Sequence, residues 1–144
     1  MTSTETALSV HRSFWLIAIV GLVWNAMGAA NFIFQLDPEV IASYRESEQA
    51  IIRDRPIWAT AGFATAVFGG TIGCILLLLK RSLAKYLFLA SLAGAILAAI
   101  HAIGTNASFS VGEAVGILLM PVAVAAFLVW YTGFATRKGW LHAT

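Results

Sequence analysis

Four long apolar runs dominate this sequence, and they constrain the fold more than any other feature. They extend over 13–34, 57–79, 83–104 and 112–136. Each run reaches the roughly 20 residues that an α-helix needs to cross the hydrocarbon core of a bilayer. Lipid offers the backbone no hydrogen-bond partners, which excludes open strands there. The runs therefore predict an all-α integral membrane protein, with residues 1–144 forming a single four-helix transmembrane bundle.

The composition agrees with a membrane location. Apolar residues make up 60% of the 144 residues and charged residues only 11%, whereas a soluble domain has roughly 25% charged residues. A chain this short and this apolar cannot cover its surface with polar groups in water. The basic residues are placed as membrane topology requires, so the net charge of +2 does not indicate a nucleic-acid partner. The lipid bilayer is the expected partner.

The basic residues also predict how the bundle is oriented. The turn between the second and third runs contains Lys80, Arg81 and Lys85, whereas Arg45 and Arg53 lie in a connection rich in acidic residues. The positive-inside rule places the basic turn in the cytoplasm, with both termini on the same side of the membrane. The alternative is that the first run is a cleaved signal peptide, which its length disfavours.

The connection over 35–56 is long for so small a protein. Asp37 is suited to cap a helix that begins with Pro38, and Pro56 follows its end. Apolar and charged residues separate to opposite sides of this helix. We therefore predict an amphipathic helix over about 38–53 in the first outer loop, lying on the membrane surface or capping the bundle. A solvated helical connector without a ligand is the alternative.

Small residues recur at helical spacing within the second and third runs. Helices in lipid gain little from hydrophobic burial and associate through close packing of small side chains. We expect such packing inside the chain, and a homo-oligomer interface is the alternative use of the same surfaces. The candidates are Gly62, Ala66, Gly70 and Cys74 in one ladder, Gly69 and Gly73 in a second ladder, and Ala90, Gly94 and Ala98 in the third run.

Polar side chains within the apolar runs are costly in lipid and usually face the interior of a bundle. Asn25 lies deep in the first helix, and Asn31 and Gln35 share its face closer to the outer surface, at about 100° per residue. The short connection after the third run brings the outer ends of the third and fourth helices together. We predict a polar vestibule open to the outer side, whose ligand-binding or pore-lining candidates are Asn25, Asn31, Gln35, Trp58, His101 and Glu113.

Structural roles are the alternative for these residues. An intramembrane asparagine such as Asn25 often forms hydrogen bonds between helices, which contribute roughly 0.6–2 kcal/mol. His101 can be a hydrogen-bonded packing residue, and the carboxylate of Glu113 suits the positive end of the fourth helix.

Several chemistries are excluded by the residues present. Cys74 is the one cysteine, so neither a disulfide within the chain nor a cysteine-pair redox centre can form. His101 is the one histidine within a run, which excludes a haem held by two intramembrane histidines. With Glu113 it supplies two metal ligands, fewer than a catalytic site normally needs. No phosphate-binding loop or Ser–His–Asp set is recognisable. We expect no cofactor, no bound metal and no enzymatic activity.

A set of short motifs runs through most of the chain. They are Trp24-Asn25 with Gly28, Pro56 with Trp58, Gly69-Gly70 with Gly73 and a leucine run to Lys80-Arg81, Ser91-Leu92 with Gly94, and Tyr131 before Lys138-Gly139-Trp140-Leu141. In these motifs the chain resembles a group of small bacterial four-helix inner-membrane proteins of uncharacterised function, which are often labelled automatically as sugar transporters. The resemblance implies a four-helix inner-membrane protein and no particular chemistry.

One residue departs from the pattern of that group. Asn31 occupies a position that is more often acidic there. If the relatives use a carboxylate at this position for proton coupling, that step is lost here, because an asparagine cannot ionise.

Two classes of function fit these observations. The first is a non-enzymatic membrane component that packs beside a larger membrane-protein complex, or binds a lipid or small molecule between its helices. The second is a small transporter or channel, which would have to be a homo-oligomer because four helices are few for a solute path. The short tails, the small-residue ladders and the lack of catalytic residues favour the first class.

Overall fold

The structure of the chain, a computed structural model, describes residues 9–143 and is helical throughout its long segments. A π-helical turn over Val115–Leu119 joins the last two helices into one continuous segment. The helices in chain order are α1 (Arg12–Phe34), α2 (Pro38–Ala42), α3 (Glu46–Ile52), α4 (Ile57–Leu78), α5 (Ala84–Gly104), α6 (Val111–Ala114) and α7 (Met120–Arg137).

Four of these segments are long and apolar enough to cross a membrane: α1, α4, α5 and the continuous segment Val111–Arg137. They begin and end within one residue of the four apolar runs of the sequence. Much of their surface is exposed and apolar, because less than half of each hydrophobic stretch is buried inside the chain. The prediction of an all-helical protein with four candidate transmembrane helices is confirmed.

The bundle is built around α4, which packs against α1 on one side and α5 on the other. Gly94 of α5 approaches the backbone of α4 so closely that an added Cβ would collide with the carbonyl oxygen of Gly62. Ser91 donates a hydrogen bond of 2.7 Å to the carbonyl oxygen of Ala66, across the same interface. Gly69 and Gly73 also face α5, where Gly73 leaves room for the ring of Phe88.

The other small residues of α4 face α1. Asn25 lies over Gly70 and occupies the space that a Cβ there would need, while Cys74 lies against Gly21. The structure therefore assigns the small residues of α4 to two helix contacts that do not coincide with the two predicted ladders. Gly62, Ala66, Gly69 and Gly73 serve the contact with α5, and Gly70 and Cys74 serve the contact with α1.

One end of the bundle is tightly filled, and we call it the closed end. It is the end at which α1 begins and α7 finishes, and its core contains the fully buried rings of Phe14 and Phe88. Trp140 packs edge-on against Phe14, with 6.0 Å between ring centroids. The chain after α7 is tied to the turn between α4 and α5, because the amide of His142 donates a 2.7 Å hydrogen bond to the carbonyl oxygen of Lys80.

The opposite end carries the segment over 35–56, which we call the loop segment. It contains two short helices instead of the single predicted helix, because α2 ends at Ala42 and α3 begins at Glu46. Asp37 caps α2 as predicted, and Pro38 begins it. Side chains compete for the backbone at the break: Gln49 Nε2 donates to the carbonyl oxygen of Tyr44 at 2.7 Å.

The π-helical turn in the last segment has a local cause. Pro121 lacks an N–H group, and its ring conflicts with the carbonyl four residues earlier in a regular α-helix. The wider turn over Val115–Leu119 accommodates this conflict before α7 continues.

The close approach of α4 and α5 predicts a large effect of one added methyl group. Gly94→Ala places a Cβ against backbone atoms that cannot rotate away, so we expect a loss of roughly 1–3 kcal/mol in stability. Gly104→Ala is the matched control, because a Cβ there meets no heavy atom within 4 Å. Thermal unfolding in detergent measures both variants, and equal unfolding midpoints for the two would contradict the packing described here.

Candidate ligand cavity

A cavity of about 550 Å³ lies between the four long helices and the loop segment. Its volume falls within the range of roughly 300–1,000 Å³ that is typical of small-molecule sites. The helices α1, α4 and α5 and the π-helical turn contribute its walls, and α3 covers part of it.

Five of the six predicted site residues line this cavity: Asn25, Asn31, Gln35, His101 and Glu113. Trp58 does not line it. The Trp58 ring contacts His101 edge-on, with 5.9 Å between ring centroids, and 45% of Trp58 is exposed. The structure thus brings together the polar residues of three different helices and places Trp58 just outside them.

The middle of the cavity is apolar. On α4 it is lined by Ala59, Phe63 and Val67, and on α5 by Ala95 and Ala98. Small side chains on both helices leave the space open, because their methyl groups do not reach across it. The polar groups are concentrated at the loop end, with Asn25 and Ser91 as exceptions deeper in the bundle.

Asn25 forms the deepest polar point of the cavity and is only 8% exposed. Its Nδ2 donates to the carbonyl oxygen of Gly21 at 2.8 Å and lies 3.9 Å from Sγ of Cys74. Within residues 9–143, no donor makes a hydrogen bond to Oδ1 of Asn25. Below this level the packed closed end begins, with Leu128 against Gly21.

Three of the predicted residues anchor the loop segment over the cavity. Tyr44 donates from its hydroxyl group to Oδ1 of Asn31 at 2.7 Å. Ser47 donates to Oε1 of Glu113, also at 2.7 Å. Nε2 of His101 lies 2.9 Å from the carbonyl oxygen of Ile51, a contact that requires a proton on Nε2. These contacts tie the loop segment to α1, α6 and α5.

Arg45 holds the two carboxylates of the cavity rim. Its Nε lies 3.2 Å from Oε2 of Glu48 and 3.5 Å from Oε1 of Glu113. The hydrogen bond to Glu48 raises the pKa of Arg45 above its ordinary value. Glu113 also accepts from the backbone amide of Ser110 at 2.8 Å, as the acidic partner of a capping box at the start of α6.

Arg55 is a cavity residue that the sequence analysis did not select. Its Nη1 donates to Oε1 of Gln35 at 2.8 Å, and its Nε donates to Oγ1 of Thr60 at 3.3 Å. The guanidinium lies 5.4 Å from the ring centroid of Phe63 and 6.0 Å from that of Phe32. Burial lowers the pKa of Arg55 from its ordinary value.

A signal for Arg55 exists in the sequence, although it is weak. Arg55 and Pro56 stand immediately before the second apolar run, where a long basic side chain can bend back along the helix that follows.

The side chains that line this cavity can recognise a ligand. Across the described part of the chain, no group of three or more His, Cys, Asp and Glu side chains is placed to hold a metal ion. The cavity offers hydrogen-bond donors and acceptors at its rim and an apolar interior. Such an arrangement suits an amphipathic guest, with its polar end at the loop segment.

Comparison with known protein families, with curated proteins and with solved structures finds no match for this chain.

The anchoring of the loop segment predicts a local effect of removing Glu113. Glu113→Ala deletes the acceptor for Ser47 and the contact with Arg45, so two contacts that hold the loop segment over the cavity are lost. We expect amide hydrogen exchange over residues 44–52 to become roughly tenfold faster or more, with α4 and α5 unchanged. Glu39→Ala, an exposed change in α2, is the control. Unaltered exchange in the Glu113 variant would show that the loop segment is held by other contacts.

Proposed function

We propose that this protein is a non-enzymatic membrane component that binds a lipid or a hydrophobic small molecule in its cavity. The proposed setting is a bacterial inner membrane, with both termini cytoplasmic and the loop segment at the outer face. The observation that carries the proposal is the 550 Å³ cavity with apolar walls and polar groups gathered at one end. The resemblance to small four-helix inner-membrane proteins is part of the same proposal.

The filled closed end supports binding in preference to conduction. Below Asn25 the interior is occupied by large buried side chains, among them Phe14, Leu77 and Phe88. A ligand that enters from the loop end therefore reaches tightly packed side chains and has no open route through a single chain. A site with one open end can retain a ligand, whereas a path for a transported solute needs two open ends.

The flank between α1 and α7 supports entry from the bilayer. Their contacts among the described residues include Leu128 against Gly21 and Tyr131 near Phe14, both at the closed end. Trp24 and Met27 of α1 line the cavity, and they are also 38% and 66% exposed on the outside of the bundle. Residues that belong both to a cavity wall and to the lipid-facing surface border an opening through which a membrane-dissolved molecule can pass.

A small homo-oligomeric transporter or channel is the second candidate. It is favoured by the position of Asn25, a polar residue that lines the cavity at the level where a path through the bundle would continue. This function requires the closed end to open, for example at the contact between Leu128 and Gly21. An accessory role beside a larger membrane protein is compatible with the binding function, because the lipid-facing surfaces of the helices remain exposed.

Filling the cavity tests the binding function. Ala98→Phe adds a ring to the cavity wall, and Ala93→Phe adds the same ring to the exposed side of α5. In native mass spectrometry of gently extracted protein, we expect the unmodified chain and the Ala93 variant to retain one small amphipathic molecule. The Ala98 variant should lose it.

Two results of this experiment would overturn the proposal. Equal retention in both variants would place the molecule outside the cavity. A defined homo-oligomer that carries no small molecule would favour the transporter and would call for flux assays in liposomes.

A further inference from the structure

We propose that the guest of the cavity is an anionic amphiphile whose carboxylate or phosphate headgroup binds the guanidinium of Arg55, with its alkyl chain in the cavity along α4 and α5. This inference rests on the proposed binding function and deepens it by naming the chemical class of the ligand.

The guanidinium of Arg55 has donors to spare. An arginine side chain carries five N–H donors in a planar fork. In the described chain, one of these goes to Gln35 through Nη1 and one to Thr60 through Nε. The remaining donors have no protein acceptor among residues 9–143, and Arg55 lines the cavity. They can bind two oxygens of one anionic group, the geometry that arginine favours with carboxylates and phosphates.

Arg55 also lacks a counter-charge from the described part of the chain. No carboxylate oxygen of residues 9–143 lies within 4.0 Å of it. The two acidic residues of the rim, Glu48 and Glu113, are held by Arg45 and by neutral donors. Both carboxylates of the cavity rim thus contact Arg45, whereas the partly buried Arg55 has no carboxylate in contact with it.

Two aromatic rings lie on the same side of the Arg55 guanidinium and restrain its position. Phe63 and Phe32 lie on it at the distances of cation–π contacts. Because Phe63 and Arg55 both line the cavity, a headgroup bound to Arg55 lies at the mouth of the apolar interior. An uncharged headgroup would leave the cation uncompensated, whereas an anion offsets the cost of its burial.

The apolar interior below Arg55 has the length for an alkyl chain. From Ala59 to Val67 the wall of α4 extends over eight residues, about 12 Å at the helical rise. Ala95 and Ala98 form the facing wall on α5. A single medium-length alkyl chain can therefore lie along α4, with its end towards Asn25.

Four probes that differ in the headgroup or the tail test this inference. The protein is placed in nanodiscs of zwitterionic phosphatidylcholine at pH 8 and exposed to dodecanoate, dodecanol, dodecyltrimethylammonium or propionate. Native mass spectrometry and thermal unfolding report binding. We expect dodecanoate to bind at least roughly tenfold more tightly than dodecanol, and the cationic and the short-chain probes to bind least. Dodecyl phosphate and didodecanoyl phosphatidic acid, added separately, distinguish a single-chain anion from a two-chain lipid as the source of the headgroup.

Three variants test whether Arg55 causes the preference for dodecanoate over dodecanol. Arg55→Gln should abolish the preference for dodecanoate over dodecanol, while Arg55→Lys should retain part of it because the charge remains. Arg53→Gln is the matched control, because Arg53 is an exposed arginine two residues away whose Nη2 bonds to Gln49. It should bind like the unmodified protein. Thermal unfolding without any probe shows whether each variant is folded.

The outcomes separate this inference from the proposed function. If all dodecyl probes bind equally and Ala98→Phe blocks them, the cavity binds amphiphiles but the role of Arg55 is overturned. The role of Arg55 is also overturned if Arg55→Gln is folded and keeps the preference for dodecanoate. If no dodecyl probe binds to the unmodified protein, both the ligand class and the binding function fail.

Discussion

The close approach of helix backbones at α4 is the constraint on which the rest of this structure depends. Lipid supplies little hydrophobic drive for helices to associate, so the bundle relies on packing at short range. Gly94 sits directly on the backbone around Gly62, and Gly70 makes room for Asn25. These contacts fix α5 and α1 on the two sides of α4. They also leave room for the cavity on the loop side of Asn25, because the contact of Leu128 with Gly21 joins α1 and α7 at the closed end.

The closed end and the cavity are both lined by apolar side chains, but only the closed end is filled by them. At the closed end, large rings such as Phe14 and Phe88 fill the interior, and the segment after α7 adds Trp140 to the packing. Towards the loop end, alanines such as Ala95 and Ala98 face the interior and leave it open. The closed end, the apolar interior and the polar rim together form an environment that suits an amphipathic ligand more than a hydrated solute.

The predicted polar residues turned out to hold the protein together as well as to line its cavity. Asn31, Glu113 and His101 are predicted ligand contacts that line the cavity, and each also bonds to the loop segment. The face that they share could be predicted, since helical periodicity and the cost of polar groups in lipid both indicate the interior. Their partners could not, because Tyr44, Ser47 and Ile51 reach them only after the loop breaks into α2 and α3.

Four long helices with these bounds are predictable from the amino-acid sequence, because hydrophobic length and backbone hydrogen bonding in lipid leave few alternatives. The sequence also indicates which residues of α4 are small enough for contact with other helices. The packing of the helices is needed to show which small residue meets which helix, that Trp58 stays outside the cavity, and that Arg55 lines it without a carboxylate nearby. Periodicity specifies a face of one helix, whereas the packing of several helices and a loop specifies which faces meet and which charges remain uncompensated.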